Sequence, residues 1–304
     1  MVVTATLDAR RRAYLLSAAA ASAQCATGGC AAGDSSDDHD ADAGSDEPAA
    51  DAFIISEGGL DRLAKAFRQS ASRARRGATL AAHGAGEAEG MPRELQAFLE
   101  SPNAIWDLLF CVLCRYDALC GPGRNEGGGF HSAMPAHVFD AVAAAAAGGP
   151  RVEGFASPLL CRGGPWAYCS LFWDIDVLFG SLGSFLDPAC ELAALGGLVE
   201  LNPPFVPSVV VQMVDAVLAA LARAQAAGTE LAFVVVLPGS TAQEARAAGK
   251  SAARSAEALD QLLESPFLQA ATPKHVWPFR YGLAFKTDAP WPPLQASARL
   301  VVLQ

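Results

Sequence analysis

Three things are scarce in this 304-residue chain. No apolar run reaches the roughly 18–20 residues that span a bilayer without a charge or a breaker, so no membrane partner is expected. Among the eight cysteines, Cys111 and Cys114 lie three apart in LLFCVLCRY, with no second pair to complete a four-ligand site. They read as one buried helical face rather than a metal site. Scattered cysteines suit a reducing compartment, hence the nucleus or cytoplasm. A basic excess is missing too, since 32 acids outnumber 22 Lys and Arg for a net charge of −10.

That charge is unevenly placed. Between Asp34 and Asp51 stand eight acids and no Lys or Arg, in the Ala-, Gly- and Ser-rich stretch GDSSDDHDADAGSDEPAAD. Such composition predicts a disordered linker. Basic groups cluster just beyond it, where Arg62, Lys65, Arg68, Arg73, Arg75 and Arg76 fall within GLDRLAKAFRQSASRARRG. They read either as a solvated helix face or as a phosphate-contacting surface. The first 23 residues carry arginines, then a short apolar stretch, a pattern superficially like a targeting leader. Asp8 and the weak hydrophobicity argue against secretion, leaving an organellar leader as the minor alternative.

Three regions follow. Residues 1–52 are leader or acidic linker. Residues 53–149 read as a helical subdomain: GLDRLAKAFRQSASRAR, MPRELQAFLE, AIWDLLFCVLCRYDALCG and PAHVFDAVAAAAAGG, with the glycine-rich loop GPGRNEGGGF between the last two. Residues 150–304 change character. GGLVEL is a strand, PSVVVQMVDAVLAALARAQAAG a helix from Pro207 to a stop at Gly228, and ELAFVVVLP a buried strand. Strand, helix, strand with tight connections is the βαβ unit of a parallel sheet. RYGLAFK and ASARLVVLQ read as a final antiparallel pair. The fold class is α/β, doubly wound, with ligands expected beyond the carboxyl ends of strands.

Asn202-Pro203-Pro204-Phe205 falls at such an end. The exocyclic amine of a purine is a poor nucleophile because its lone pair is delocalised into the ring. Two acceptors on its two N–H groups draw the nitrogen toward tetrahedral geometry and free that pair. The Asn202 side-chain oxygen and the Pro203 carbonyl are suited to this, the prolines holding the carbonyl rigidly. Phe205 offers a face on which a base taken out of its stack can lie. A proline-rich turn built for structure alone is the plainer alternative.

GFASPL, YCSLFWDID, LFGSLGSF, ELNPPF and LAFVVVLP occur in this order, and with RYDALCG and MPAHVFDAV they resemble the phosphorylated C-terminal-domain-interacting factor 1 family, the cap-specific adenosine N6-methyltransferases. The resemblance covers roughly Leu108 to the C-terminus. It implies a Rossmann-like class I methyltransferase sheet preceded by a helical subdomain, S-adenosyl-L-methionine as cofactor, RNA (capped or uncapped) as substrate, and no metal. Asn202, Pro203, Pro204 and Phe205 match the family's amine-binding corner. Glu153, Phe155, Ala156, Ser157 and Pro158 match a loop expected near the cofactor, as does the FGSxG turn with Gly180, Ser181 and Gly183. Asp174 or Asp176 is expected on the cofactor's ribose hydroxyls, and Arg115 joins the basic helix as a phosphate contact. Val206 and Pro207 replace the family's Cys and Glu, and Gly239-Ser240 replace its Glu-Trp, the pair expected to grip a methylated guanine cap. No suitably spaced tryptophan pair before residue 100 answers to the animal members' WW domain. Two other readings stand beside this one: a glutamine methyltransferase, which uses a similar corner on a side-chain amide, and a noncatalytic nucleic-acid-binding relative.

Overall fold

In the computed structural model the described residues are 55–75, 101, 103–120, 131–145, 148–187, 196–249, 254–280, 282 and 293–304. The leader and acidic stretch, the helix expected at 91–100 and the glycine-rich loop lie outside them.

Three helices come first: α1 (Glu57–Arg75), α2 (Ala104–Cys120) and α3 (Ala136–Ala145). In α1, Leu63 and Phe67 point inward while Arg62, Lys65 and Arg68 stay exposed, the 3.6-residue pattern of a one-sided helix. Helix α2 turns Leu109, Val112, Leu113 and Tyr116 into the same cluster, which Leu159, Leu160 and Phe179 complete. Its cysteines correct the expected buried face: Cys111 is exposed and Cys114 half-buried, because the inward stripe runs through the residues between them.

The remainder forms one seven-stranded sheet from β1 (Arg151–Ala156), β2 (Trp166–Ser170), β3 (Gly197–Leu201), β4 (Leu231–Pro238), β5 (Leu268–Ala271), β6 (His275–Phe279) and β7 (Leu294–Leu303). The order is β2-β1-β3-β4-β7-β5, with β6 also on β7. The first four strands are parallel and β7 enters antiparallel beside β4. This is a mixed, Rossmann-like sheet. Between β2 and β3 lie a short helix α4 (Trp173–Asp176) and a 3-10 turn, Val177–Phe179. β1 reaches β2 through the loop 157–165 rather than a helix, which is how the sheet fits between Pro158 and Asn202. The strand on β7 is β6, immediately before RYGLAFK; of that segment only Arg280 and Gly282 are described.

Helix α5 (Pro207–Ala227) starts on its proline and ends at Gly228, whose left-handed φ of 66° stops it. By length and composition it is apolar enough to cross a membrane if Asp215 and Arg223, the charges that break its apolar run, are allowed. It buries Val210, Met213, Val214, Val217 and Leu221 against one face of the sheet. Helix α6 (Ala242–Ala247) opens with a capping box, Thr241 Oγ accepting from Glu244 N and the Glu244 carboxylate from Thr241 N. Helix α7 (Arg254–Leu263) packs beside α5 through Ala258, Leu259 and Leu262. On the opposite face α3 lies with Met134, Trp166, Leu198, Val234 and Val236.

Candidate functional site

From β1 the chain moves outward to β2, then returns across β1 to β3 on its other side. A reversal of this kind opens a crevice at the carboxyl ends of the two central strands. A cavity of about 390 Å³ sits there, walled mainly by apolar groups, with Tyr116, His131, Glu153, Ser157, Ser170 and Asn202 among its polar members. Gly154 lets the walls meet: a Cβ there would come within 2.2 Å of Leu201 Cδ2.

Asn202 is buried, and its Nδ2 donates to the Ser132 carbonyl at 3.0 Å. A carbonyl accepts only a donor, so this bond fixes the amide and leaves Oδ1 as the acceptor on the cavity wall. The next two carbonyls divide the work. Pro204 O accepts Val206 N–H at 2.7 Å, whereas Pro203 O takes no backbone donor among the described residues. Ser132 is itself held by Ala133, which exchanges both backbone bonds with Arg280 at 3.1 and 2.7 Å.

On the β1 side, His131 Nδ1 meets the Gly282 carbonyl at 3.1 Å and must carry the proton, so Nε2 accepts from Ser157 Oγ at 2.6 Å. Leu160 N–H donates to the same hydroxyl. Burial first, with the Arg280 charge, depresses the imidazole to about 4, keeping it neutral. Its ring stacks on Tyr116 at 4.8 Å. The Tyr116 hydroxyl donates to Asp176 Oδ2 at 2.6 Å, and Asp176 Oδ1 is buried with no hydrogen-bond partner among the described residues. Burial raises the Asp176 carboxyl to about 6 against the pull of Tyr116 and Ser170.

Glu153 and Glu200 are register partners on β1 and β3, and both are buried. Arg162 N–H donates to Glu153 Oε2 at 2.8 Å. Burial drives Glu153 up to about 7, offset partly by that bond and by Arg280 and Arg162. Among the described residues neither oxygen of Glu200 has a hydrogen-bond partner; burial, then the Glu153 charge, holds it well above the usual carboxylate range.

Of the residues expected at the site, Asn202, Pro204, Glu153, Phe155, Ala156 and Ser157 meet on this cavity. Pro203 is buried beside it, and Phe205 leans instead on the apolar cluster of Met134, Phe139 and Phe279. Pro158, Asp174, Gly180 and Gly183 stand off its wall. Asp174 is half-exposed and pairs with Arg115 at 2.6 Å, an ion pair that depresses the carboxyl. The left-handed φ of Gly180 (101°) and Gly183 (120°) shapes the turn beside β2, where Ser170 N–H donates to Gly183 O. Arg62, Lys65 and Arg68 are exposed on α1, the side chains of Arg73 and Arg75 lie outside the described set, and so does Arg76. Sequence reasoning missed Tyr116, His131, Ser132 and Glu200. Only Glu200 carried a signal, a lone acid inside the apolar strand GLVEL. Among the described residues no His, Cys, Asp and Glu cluster has the makings of a metal site.

A Rossmann-like sheet with a mainly apolar cavity, set with a few polar groups, at its switch point defines a ligand-binding α/β domain. The family model described as the phosphorylated CTD interacting factor 1 WW domain matches residues 94–270, more than half the chain, and the chain belongs to that family. It is 37% identical over 131 residues to the human mRNA (2'-O-methyladenosine-N(6)-)-methyltransferase, and 35% identical over 131 residues to the mouse protein of the same name. Each alignment covers 43% of this chain and 17% of the relative, so the chain spans under a fifth of the length of these relatives.

Proposed function

We propose that this chain is an S-adenosyl-L-methionine-dependent methyltransferase acting on N6 of adenine in RNA. The observation that carries the reading is the fixed Asn202 amide on the cavity wall, its Nδ2 committed to Ser132 and its Oδ1 left to accept, followed by a Pro203 carbonyl that takes no backbone donor among the described residues. Two acceptors on a stiff backbone are what an exocyclic amine needs. The names of the human and mouse relatives support the same chemistry, with 2'-O-methyladenosine of mRNA as the corresponding substrate.

The cavity suits the cofactor. Ser170 stands on the wall, and behind it, off the wall itself, Asp176 carries a buried oxygen with no partner among the described residues, an arrangement fit to orient the Ser170 hydroxyl toward a ligand's sugar. Glu153 is an acid on an otherwise mainly apolar wall, suited to a cationic ligand. Phe155 and Phe185 add half-buried and buried aromatic surface, their rings 5.5 Å apart. When bound, the cofactor supplies a methyl group on a sulfonium. The protein orients the acceptor: Asn202 Oδ1 and Pro203 O take the two N–H bonds of the amine, and the freed lone pair points away from both. Ser132 keeps Asn202 from turning, and the His131–Ser157 bond ties the 131–133 segment to the end of β1. Gly239 and Ser240, which follow β4, provide no acid or aromatic group for a methylated guanine, so uncapped RNA belongs among the substrates tested.

The test incubates the chain and its Asn202→Ala variant with labelled cofactor and capped RNA starting with adenosine, uncapped RNA or single-stranded DNA. Labelled N6-methyladenosine from the parent, lost in the variant, is the expected result. A folded parent that labels none of them, but labels a glutamine-containing peptide, moves the amine to a side-chain amide.

A further inference from the structure

Three of the four exposed large apolar residues among those described fall within the twelve residues after β2: Leu171 at 59% exposure, Trp173 at 48% and Leu182 at 42%. Leu171 is part of the cavity wall, and Trp173 opens α4 two residues later. Leu182 is held beside β2 by its N–H to Tyr168 O at 2.8 Å. The patch therefore lies at the carboxyl ends of the strands, on the rim of the cavity. An indole left half in water at such a place is a large stacking surface without a partner ring among the described residues.

Its surroundings are charged with one predominant sign. Helix α1 packs on the 3-10 turn following α4, with Phe67 5.9 Å from Phe179, and exposes Arg62, Lys65 and Arg68. Arg115 lies over the Phe172 ring at 5.4 Å. Three acids temper this: Asp174, committed to Arg115, and Glu57 and Asp61, exposed on α1; Arg62 also gives one N–H to the Leu159 carbonyl at 3.2 Å. Exposed cations next to an aromatic rim form the combination that tracks a single strand, phosphates on the charges and bases on the ring.

We propose that Trp173, with Leu171, is the platform on which a base neighbouring the target adenosine stacks, the adjoining phosphates passing toward Arg62, Lys65 and Arg68. This rests on the RNA reading of the cavity. It gives the basic helix its partner surface, and it makes a single-stranded flank part of what the protein recognises.

The experiment measures methylation kinetics on a single-stranded RNA oligomer, and the affinity of S-adenosylhomocysteine, for the parent and for Trp173→Ala, Trp173→Leu and Trp173→Phe. Loss of one stacked base raises KM about 5- to 100-fold. That rise is expected in Trp173→Ala and Trp173→Leu, with kcat and product affinity unchanged, while Trp173→Phe stays within about threefold of the parent. Trp173→Leu keeps an apolar side chain, so a parental KM in that variant means that apolar contact, not stacking, is at work and overturns the platform. Unchanged KM in all three variants of an active parent also overturns it, leaving the patch for a protein partner. A parent that neither binds nor methylates RNA defeats the RNA reading first, and the platform with it.

Discussion

The two faces of the sheet were built under different rules. Beneath α5 and α7 the buried groups are apolar throughout the cluster: Val152, Val199, Leu201, Met213, Val217, Phe233, Leu259 and their neighbours. Among the described buried polar residues, only Ser255 belongs to a helix of that side. The other face alternates with it along the same strands, so Val152 gives way to Glu153, Val199 to Glu200 and Leu201 to Asn202. Period-two alternation thus separates a wholly apolar face from one whose apolar cluster, with Leu198, Val234 and Val236, is interrupted by the groups that carry the chemistry. The apolar face is inexpensive to keep buried. The polar one retains Glu200 with no hydrogen-bond partner among the described residues and Glu153 with the Arg162 N–H, a stability cost of the kind that functional sites bear.

If that division is right, damage to each face should read out differently. Asn202→Ala removes one positioned acceptor and is expected to cut kcat by about 10²–10³, the usual size for a preorganised hydrogen-bonding group. Its melting temperature should move little, since only the bond to Ser132 is lost from the described hydrogen bonds. Met213→Ala does the reverse. Met213 is fully buried under the apolar face, and truncating it should cost about 2–5 kcal/mol in denaturant unfolding while KM and kcat per folded molecule hold. A Met213→Ala protein that keeps its stability but loses turnover would break the comparison.

Asp176 refines it on the polar side. Its carboxyl, raised to about 6, is ionised at neutral pH and protonated at pH 5. Orienting the Ser170 hydroxyl on the cavity wall is stronger for the charged form, so affinity for S-adenosylhomocysteine should fall about fivefold between pH 7.5 and 5. Asp176→Asn should start at the weaker value and show a flatter profile over that range. Parallel profiles for the two proteins would remove Asp176 from the ligand site.

How much of this was readable beforehand follows from the range of each signal. Helix α5 was legible because Pro207 and Gly228 punctuate a long apolar period, and β4 because FVVVL is short, branched and buried. Asn202 stood out because a polar residue beside two prolines ends an apolar strand. β2 went unplaced because WAYCS is short and reaches its partner without a helix. Tyr116 with Asp176 and His131 with Ser157 are pairs 60 and 26 residues apart, and no local pattern announces a contact of that kind. Phe205 shows the opposite failure: an aromatic in a suggestive motif, turned by the chain's path onto Met134 and Phe279. Asp174 and Asp176, equal on paper, were separated only by α4, which exposes the first and buries the second.

Glu200 is the smallest and most pointed test, because it asks whether the polar face really opposes folding. An acid whose folded pKa is raised is most at home while protonated. Its contribution to stability is whole below the ordinary carboxylate range and drains away as pH climbs toward the folded value. For Glu153 that window runs from about 4.5 to about 7; for Glu200, pushed well above its ordinary value by burial and by Glu153, it begins at the same place. Glu200→Gln removes the titration while keeping the shape. The variant should therefore melt with the parent near pH 5 and above it by pH 8, the gap widening steadily between. A gap independent of pH would mean that Glu200 finds a charge partner in solution, and that this face of the sheet does not carry the strain its two carboxylates imply.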